Sequence, residues 1–221
     1  MGEPPGSMVR HEVFPMVRRF LVAAVALSAV VSLSAQAPQG WKVRVDRSQS
    51  AQDPDNTPNL AFKAMGKGLH VKGGPAGTFW NPANTATGNY TLKGTFNLQE
   101  PSSHPNYYGL VFGGANLDAA TQAYAYFVVA QNGTFMVRQR QGESVTDVVG
   151  RQANAAVRQP GANGQSSNAL EVRVAGDTVS YVVNGTVVHS GPKGALKTDG
   201  LAGVRVNHVL DVQFEGFEVG K

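Results

Sequence analysis

The sequence predicts an all-β protein, a sandwich of two antiparallel sheets behind a cleavable N-terminal signal peptide. Three observations predict it. Apolar and polar residues alternate with a period of two in run after run; Gly, Asn and Asp interrupt these runs at short intervals; and no stretch beyond the N-terminus carries a helical period of useful length. The composition agrees. Of 221 residues, 26 are Gly and 12 are Pro, and only 15% are charged, a balance that suits short strands joined by turns.

The N-terminus reads as an export signal. Met16-Val17-Arg18-Arg19 is a short basic region, Phe20 to Val31 is an apolar run, and Ser32 to Ala37 supplies small residues. Ala35 and Ala37 stand at the two small positions of an A-x-A cleavage site. The apolar run falls short of the ~20 residues a bilayer span needs, so no stable membrane span is expected after cleavage. The expected organisation is an extension and signal peptide over 1–37, then a single sandwich domain over 38–221, destined for the periplasm or the cell exterior. The chain has no Cys, which excludes disulfides and thiolate metal sites. Its formal charge is +4, with no block of Lys and Arg, so nucleic acid is not an expected partner.

Along the mature part, Trp41 to Asp46 alternates with Trp41, Val43 and Val45 on one face. Gly68 to Lys72 is a short strand that ends at Gly73-Gly74-Pro75. Asn89 to Leu98 alternates Tyr90, Leu92, Gly94, Phe96 and Leu98, and Tyr107 to Phe112 follows after a Pro-containing loop. Gly150 to Asn168 reads as a long polar connection. Leu170 to Val174 and Val179 to Val183 flank Gly176-Asp177, and Asn184-Gly185 makes a two-residue hairpin turn into Thr186-Val187-Val188. Leu201 to Val206, Val209 to Phe214 and Phe217 to Val219 close the chain.

The hairpin from Tyr124 to Gln141 sets which side chains face outward. A two-residue Asn132-Gly133 turn would mix the faces. A three-residue loop with Gly133 in the left-handed bulge position pairs Ala130 with Thr134. It puts Phe127, Val129, Phe135 and Val137 on one face and Tyr124, Tyr126, Met136, Arg138 and Arg140 on the other. A one-residue slip exchanges the faces of one strand, so the consistent apolar set selects the three-residue loop.

The last third carries a resemblance. Asn168-Ala169-Leu170-Glu171-Val172-Arg173-Val174, Gly176-Asp177, Tyr181 and Asn184-Gly185 lead to Asp199-Gly200-Leu201-Ala202-Gly203-Val204 and the closing Val212-Gln213-Phe214-Glu215-Gly216-Phe217. This pattern resembles the laminin G-like and concanavalin A-like jelly rolls of the lectin and glucanase superfamily. It is most similar to the bacterial 3-keto-disaccharide hydrolase domain. The resemblance implies a jelly-roll sandwich over most of residues 40 to 221 and a carbohydrate or glycoside ligand. Its motifs are turns and glycines, so they speak for fold more than for activity.

Catalytic chemistry is thinly supported. Retaining glucanases of the superfamily resemble one another in a Glu-x-Asp-x-x-Glu strand, the paired carboxylates that glycoside cleavage needs, and no such array occurs here. Glu215 and Glu218 have odd spacing, which places them on opposite faces of a regular strand. Asp53 and Asp55 offer oxygen ligands for Ca²⁺, although turn chemistry explains them more simply. His70, His104, His189 and His208 lack metal-ligand spacing. The remaining candidates are aromatic and basic: Trp80, Tyr108, Tyr124, Tyr126, Arg138 and Arg140. Flat rings pack on the apolar faces of sugars while polar side chains read the hydroxyls; Phe79-Trp80-Asn81 and Tyr107-Tyr108 are placed in or beside loops. The expected function is an exported, non-catalytic carbohydrate-binding module. A glycoside-processing hydrolase and a structural or protein-interaction sandwich are the alternatives.

Overall fold

The alternating runs form strands that pair into two seven-stranded sheets, antiparallel throughout. The computed structural model describes residues 1–2, 37–46, 50, 52–53 and 59–221. The signal peptide as far as Gln36, and the candidate Asp55, lie outside the described residues. Among the described residues there is no helix.

The first sheet runs in the order β1 (Lys42–Asp46), β4 (Ala76–Ala86), β13 (Gly200–Val206), β6 (Tyr107–Ala115), β7 (Ala123–Ala130), β8 (Thr134–Gln141) and β9 (Ser144–Ala153). The second runs β12 (Thr186–Pro192), β11 (Thr178–Val183), β10 (Ser166–Ala175), β5 (Tyr90–Glu100), β14 (Asp211–Gly220), β3 (Gly68–Lys72) and β2 (Ala61–Met65). The chain crosses between sheets after β1, β3, β4, β5, β9, β12 and β13. These crossings make a closed sandwich rather than two stacked meanders.

Between the sheets lies one continuous apolar core. The first sheet contributes Phe79, Leu110, Phe112, Phe127 and Phe135, and the second contributes Leu92, Phe96, Val172, Val183 and Phe214, all essentially inaccessible to solvent. Burying each such side chain stabilises by ~1.5–3 kcal/mol, and without disulfides this area carries the fold. Trp41 closes one end of the core edge-on to Phe62, Phe214 and Phe217.

Two turns fix the registers that matter. Asn184 and Gly185 both take positive φ, +50° and +82°, as a two-residue hairpin between Val183 and Thr186 requires. At the other hairpin, Gly133 sits at φ +79° and its N–H donates to Ala130 O (3.1 Å), with Val129 opposite Phe135. This is the three-residue loop, and it sends Phe127, Val129, Phe135 and Val137 into the inter-sheet core.

β2 has no counterpart in the sequence reading, and two further strands depart from it. β4 passes through Phe79-Trp80-Asn81, which the pattern placed in or beside a loop. Its Pro82 is tolerated because β1 pairing stops at Trp80 and the β13 ladder is irregular between Leu201 and Gly203. β9 extends to Ala153, into the stretch expected to be connection. It is an edge strand exposed along most of both faces, so it shows no alternation to read.

Candidate binding face

The outer face of the first sheet, turned away from the core, gathers the polar and aromatic side chains. Registers place them in rows across the strands. One row runs through Arg44, Thr78, Arg205, Gly109, Val128 and Met136. The next runs through Lys42, Trp80, Gly203, Val111, Tyr126, Arg138 and Asp147. Where the rows cross Gly109 and Gly203 a Cβ would strike the backbone of the neighbouring strand, Phe127 O and Phe79 O respectively.

Arg205 is the centre. Its Nη1 donates to Asp46 Oδ2 (2.8 Å), Tyr124 Oη (2.9 Å) and Thr78 Oγ1 (3.2 Å), and its guanidinium lies 5.4 Å from the Tyr126 ring centroid. Burial works against the charge of Arg205, but Tyr124, Asp46 and Tyr126 outweigh it and hold its pKa above the ordinary value. Arg140 Nη1 also donates to Asp46 Oδ2 (3.0 Å), and its Nε donates to Gly142 O (2.9 Å). Arg44 brings Nε to 3.5 Å from Asp46 Oδ1 and donates from Nη1 to Ala119 O (3.0 Å). Further along, Arg138 Nε donates to Asp147 Oδ1 (2.5 Å).

The loop between β6 and β7 folds back over one end of this face. Leu117 packs into the outer cluster with Trp80, Val111 and Tyr124, while Lys42 meets Asp118 at 3.5 Å. At the β1 edge, Trp41, Val43 and Trp80 line a cavity of ≈ 260 Å³ with Lys42 and Asp118 also on its wall.

No protein-family model and no curated protein matches the chain. Solved structures do. The carbohydrate-binding module CBM66 from Bacillus subtilis superposes with a TM-score of 0.60 at 10% identity, over 82% of this chain and 96% of that one. The exoplasmic/lumenal domain of VIP36, in its Ca²⁺/Man3GlcNAc-bound form, gives 0.54 at 8% identity over 82% and 86%. A GH16 protein from the Bacteroides ovatus mixed-linkage glucan locus, in complex with the G4G4G3G product, gives 0.52 at 6% identity over 79% and 92%. The fold is a concanavalin A-like jelly roll. Identities this low speak for the fold alone.

On this jelly roll the candidate residues separate. Trp80, Tyr124, Tyr126, Arg138 and Arg140 all belong to the outer face, but the rings are not open platforms. Trp80 and Tyr124 are 2% exposed and Tyr126 is 6% exposed, so facing outward on the hairpin does not leave the Tyr126 ring open to solvent. Burial, only partly countered by Arg205, raises the Tyr126 pKa above its ordinary value. Solvent reaches polar side chains instead: Arg138 and Arg140 are half-buried, and Lys42 and Asp147 are exposed over about half of their side chains.

Tyr108 is a correction of another kind. It belongs to the inter-sheet core, where its ring lies 5.9 Å from Phe96 and its hydroxyl accepts from Asn168 Nδ2 (3.3 Å). Alternation along β6 turns its neighbour Tyr107 outward instead, under the guanidinium of Arg151 at 5.1 Å. Tyr107 and Tyr108 open β6, where the sequence reading began the strand.

Sequence reasoning missed Arg44, Asp46, Thr78 and Arg205. A signal existed for three of them: Arg44 and Asp46 alternate against Val43 and Val45, and Arg205 stands between Val204 and Val206. Asp53 donates its N–H to Ser50 O (3.2 Å) in a turn. Among the described residues no group of three His, Cys, Asp or Glu is placed to hold a metal ion. Glu215 and Glu218 flank a bulge with Gly216 at φ +60°, on the second sheet, where Glu218 pairs with Lys93 at 3.2 Å.

Proposed function

We propose that the chain is an exported, non-catalytic carbohydrate-binding sandwich whose ligand site is the outer face of the first sheet. One observation carries the reading. That face, turned away from the inter-sheet core, holds an organised cluster of guanidinium, hydroxyl and ring groups around Arg205, Asp46 and Tyr124. Sugar hydroxyls both donate and accept, and fixed guanidinium forks with tyrosine hydroxyls meet both needs. The buried rings act here as a rigid floor that orients these groups. A neighbour in fold is a carbohydrate-binding module and another was solved with Man3GlcNAc bound, which makes a sugar ligand the natural class to test.

The hydrolase alternative needs two carboxyl groups facing the cleaved bond. On this face Asp46 is engaged by Arg140 and Arg205, and Asp147 by Arg138, which favours binding without cleavage. Export rests on the N-terminal sequence. Intact-mass measurement of exported protein should find a chain starting at Pro38, and retention of the preceding residues would sink that part.

A glycan array probed with the exported protein tests the function directly. Binding should be confined to one class of glycan. Arg138→Ala should weaken it by about tenfold, the worth of one charge-assisted hydrogen bond, without a large change in melting temperature. Absence of any glycan binding, or binding indifferent to substitutions on this face, overturns the proposal.

A further inference from the structure

We infer that the outer-face site is built for an anionic sugar, one bearing carboxylate or sulfate groups; the inference rests on the sugar-binding reading above. The observation is a charge imbalance at one place. Arg44, Arg140 and Arg205 all converge on Asp46, within 3.5, 3.0 and 2.8 Å. Three cations thus share a single carboxylate, and among the described residues no second acid comes within ion-pair distance of them.

The imbalance is local. In the other ion pairs each cation has at least one carboxylate: Lys72 meets both Asp211 and Glu100, Lys93 meets Glu218, and Arg173 meets Glu171. Nor can the excess be relieved by losing a proton, because a guanidinium stays charged at any pH a protein survives. The side chains of Arg44, Arg140 and Arg205 retain only 26%, 16% and 10% of their exposure, so water solvates them incompletely.

Donors are left over as well. Each guanidinium carries five N–H groups. Among the described residues Arg44 Nε is buried without a hydrogen-bond partner, and the acceptors of this cluster are Asp46, Thr78, Tyr124, Ala119 O and Gly142 O. A neutral sugar would offer hydroxyls to these donors and leave the charge uncompensated. A carboxylate or sulfate ester supplies both the charge and a planar or tripodal set of oxygens that guanidinium forks fit.

The test is calorimetric titration of the full chain, as processed by the expressing cell, with three probes: an oligogalacturonate, a sulfated galactan oligosaccharide and a cello-oligosaccharide. The expected result is binding of an acidic probe but not the neutral one, weakened by added salt. The double substitution Arg44→Gln with Arg140→Gln should weaken it by about tenfold or more, as the loss of charge-assisted hydrogen bonds predicts. Which acidic probe binds more tightly separates carboxylate from sulfate as the natural group.

Binding of the neutral probe alone overturns the inference while leaving the sugar-binding reading intact. Acidic-probe binding that ignores the double substitution also overturns it, since the general positive charge of the chain would then be responsible. If no glycan binds here or on the array, both readings fall. Should the double variant not fold, phenylglyoxal modification of the wild-type protein replaces it. Protection of Arg44 and Arg140 by the acidic probe, read by peptide mass, is then the supporting result, and unprotected arginines the overturning one.

Discussion

Strands β7 and β8 present two faces built from alternate residues of the same hairpin, and the faces are stabilised in different ways. Inward, Phe127, Val129, Phe135 and Val137 meet the second sheet and are fully buried. Outward, Tyr124 and Arg140 bond with Arg205 and Asp46, the Tyr126 ring lies under Arg205, and Arg138 bonds to Asp147 at the edge. The inner face depends on area removed from water, a non-directional quantity that scales with size. The outer face depends on each donor finding its acceptor, so deleting one partner can cost more than that partner contributed. The two faces therefore differ in what breaks them.

The largest expected effect tests the inner face. Phe135→Ala empties a fully buried site and should destabilise by ~3–5 kcal/mol, measured by urea unfolding with an unchanged m-value. A cost below ~1 kcal/mol would mean the hairpin register, and with it the identity of both faces, is wrong.

Close behind comes the outer face. Asp46→Asn leaves Arg205 and Arg140 without their shared anion, and the expected loss is on the order of 3 kcal/mol, the low end for orphaning a buried charge. Arg205→Met, which removes the buried cation itself, should cost less. If the methionine variant proves the less stable of the two, the cluster holds the fold by packing rather than by charge balance, and the contrast between faces disappears.

These faces were not equally legible in the sequence. Period-two alternation exposed β5, β7, β8, β10 and β11, because each has one dry and one wetter side. The Gly133 and Asn184-Gly185 turns could be read from the backbone conformations those residues allow. β4 escaped notice because Pro82 and two asparagines look like a loop, yet they fall where the ladder is interrupted. The Arg205 cluster was invisible for a different reason. Asp46 and Arg205 lie 159 positions apart, and six strands, β6 among them, must assemble before Asp46, Thr78, Tyr124, Arg140 and Arg205 meet. Local spacing encodes faces; it does not encode which faces' residues converge. Tyr108 shows the same limit at short range, since choosing between two adjacent tyrosines needs the strand's parity.

A smaller effect comes from the second sheet, whose charges are balanced. Asp211 accepts from Lys72 Nζ (2.6 Å) and His70 Nε2 (2.5 Å). Burial alone would raise its pKa, but these partners outweigh it and hold the carboxyl below the usual range. Its contribution is therefore fully present above the unfolded carboxylate value of ~3.9 and is lost as pH falls through the lower folded value. Asp211→Asn should cost about 1–2 kcal/mol near neutrality and flatten the acid limb of a stability-versus-pH curve. An acid limb identical to wild type would show that other carboxylates govern acid unfolding.

The smallest effect on folding is the one that most sharpens the comparison. Arg138 stands on the outer face but at its edge. Its side chain keeps 35% of its exposure, its partner Asp147 keeps 51%, and the two meet at 2.5 Å. Exposed pairs gain little because solvent and salt screen them, so Arg138→Ala should shift stability by no more than ~1 kcal/mol. The same substitution removes a guanidinium that solvent, and hence a ligand, can reach. Folding and binding should therefore respond in opposite proportion: a near-native melting curve with weakened glycan binding for Arg138→Ala. If Arg138→Ala instead destabilises as severely as Phe135→Ala, the outer face is a second core, and its guanidinium groups serve the fold rather than a ligand.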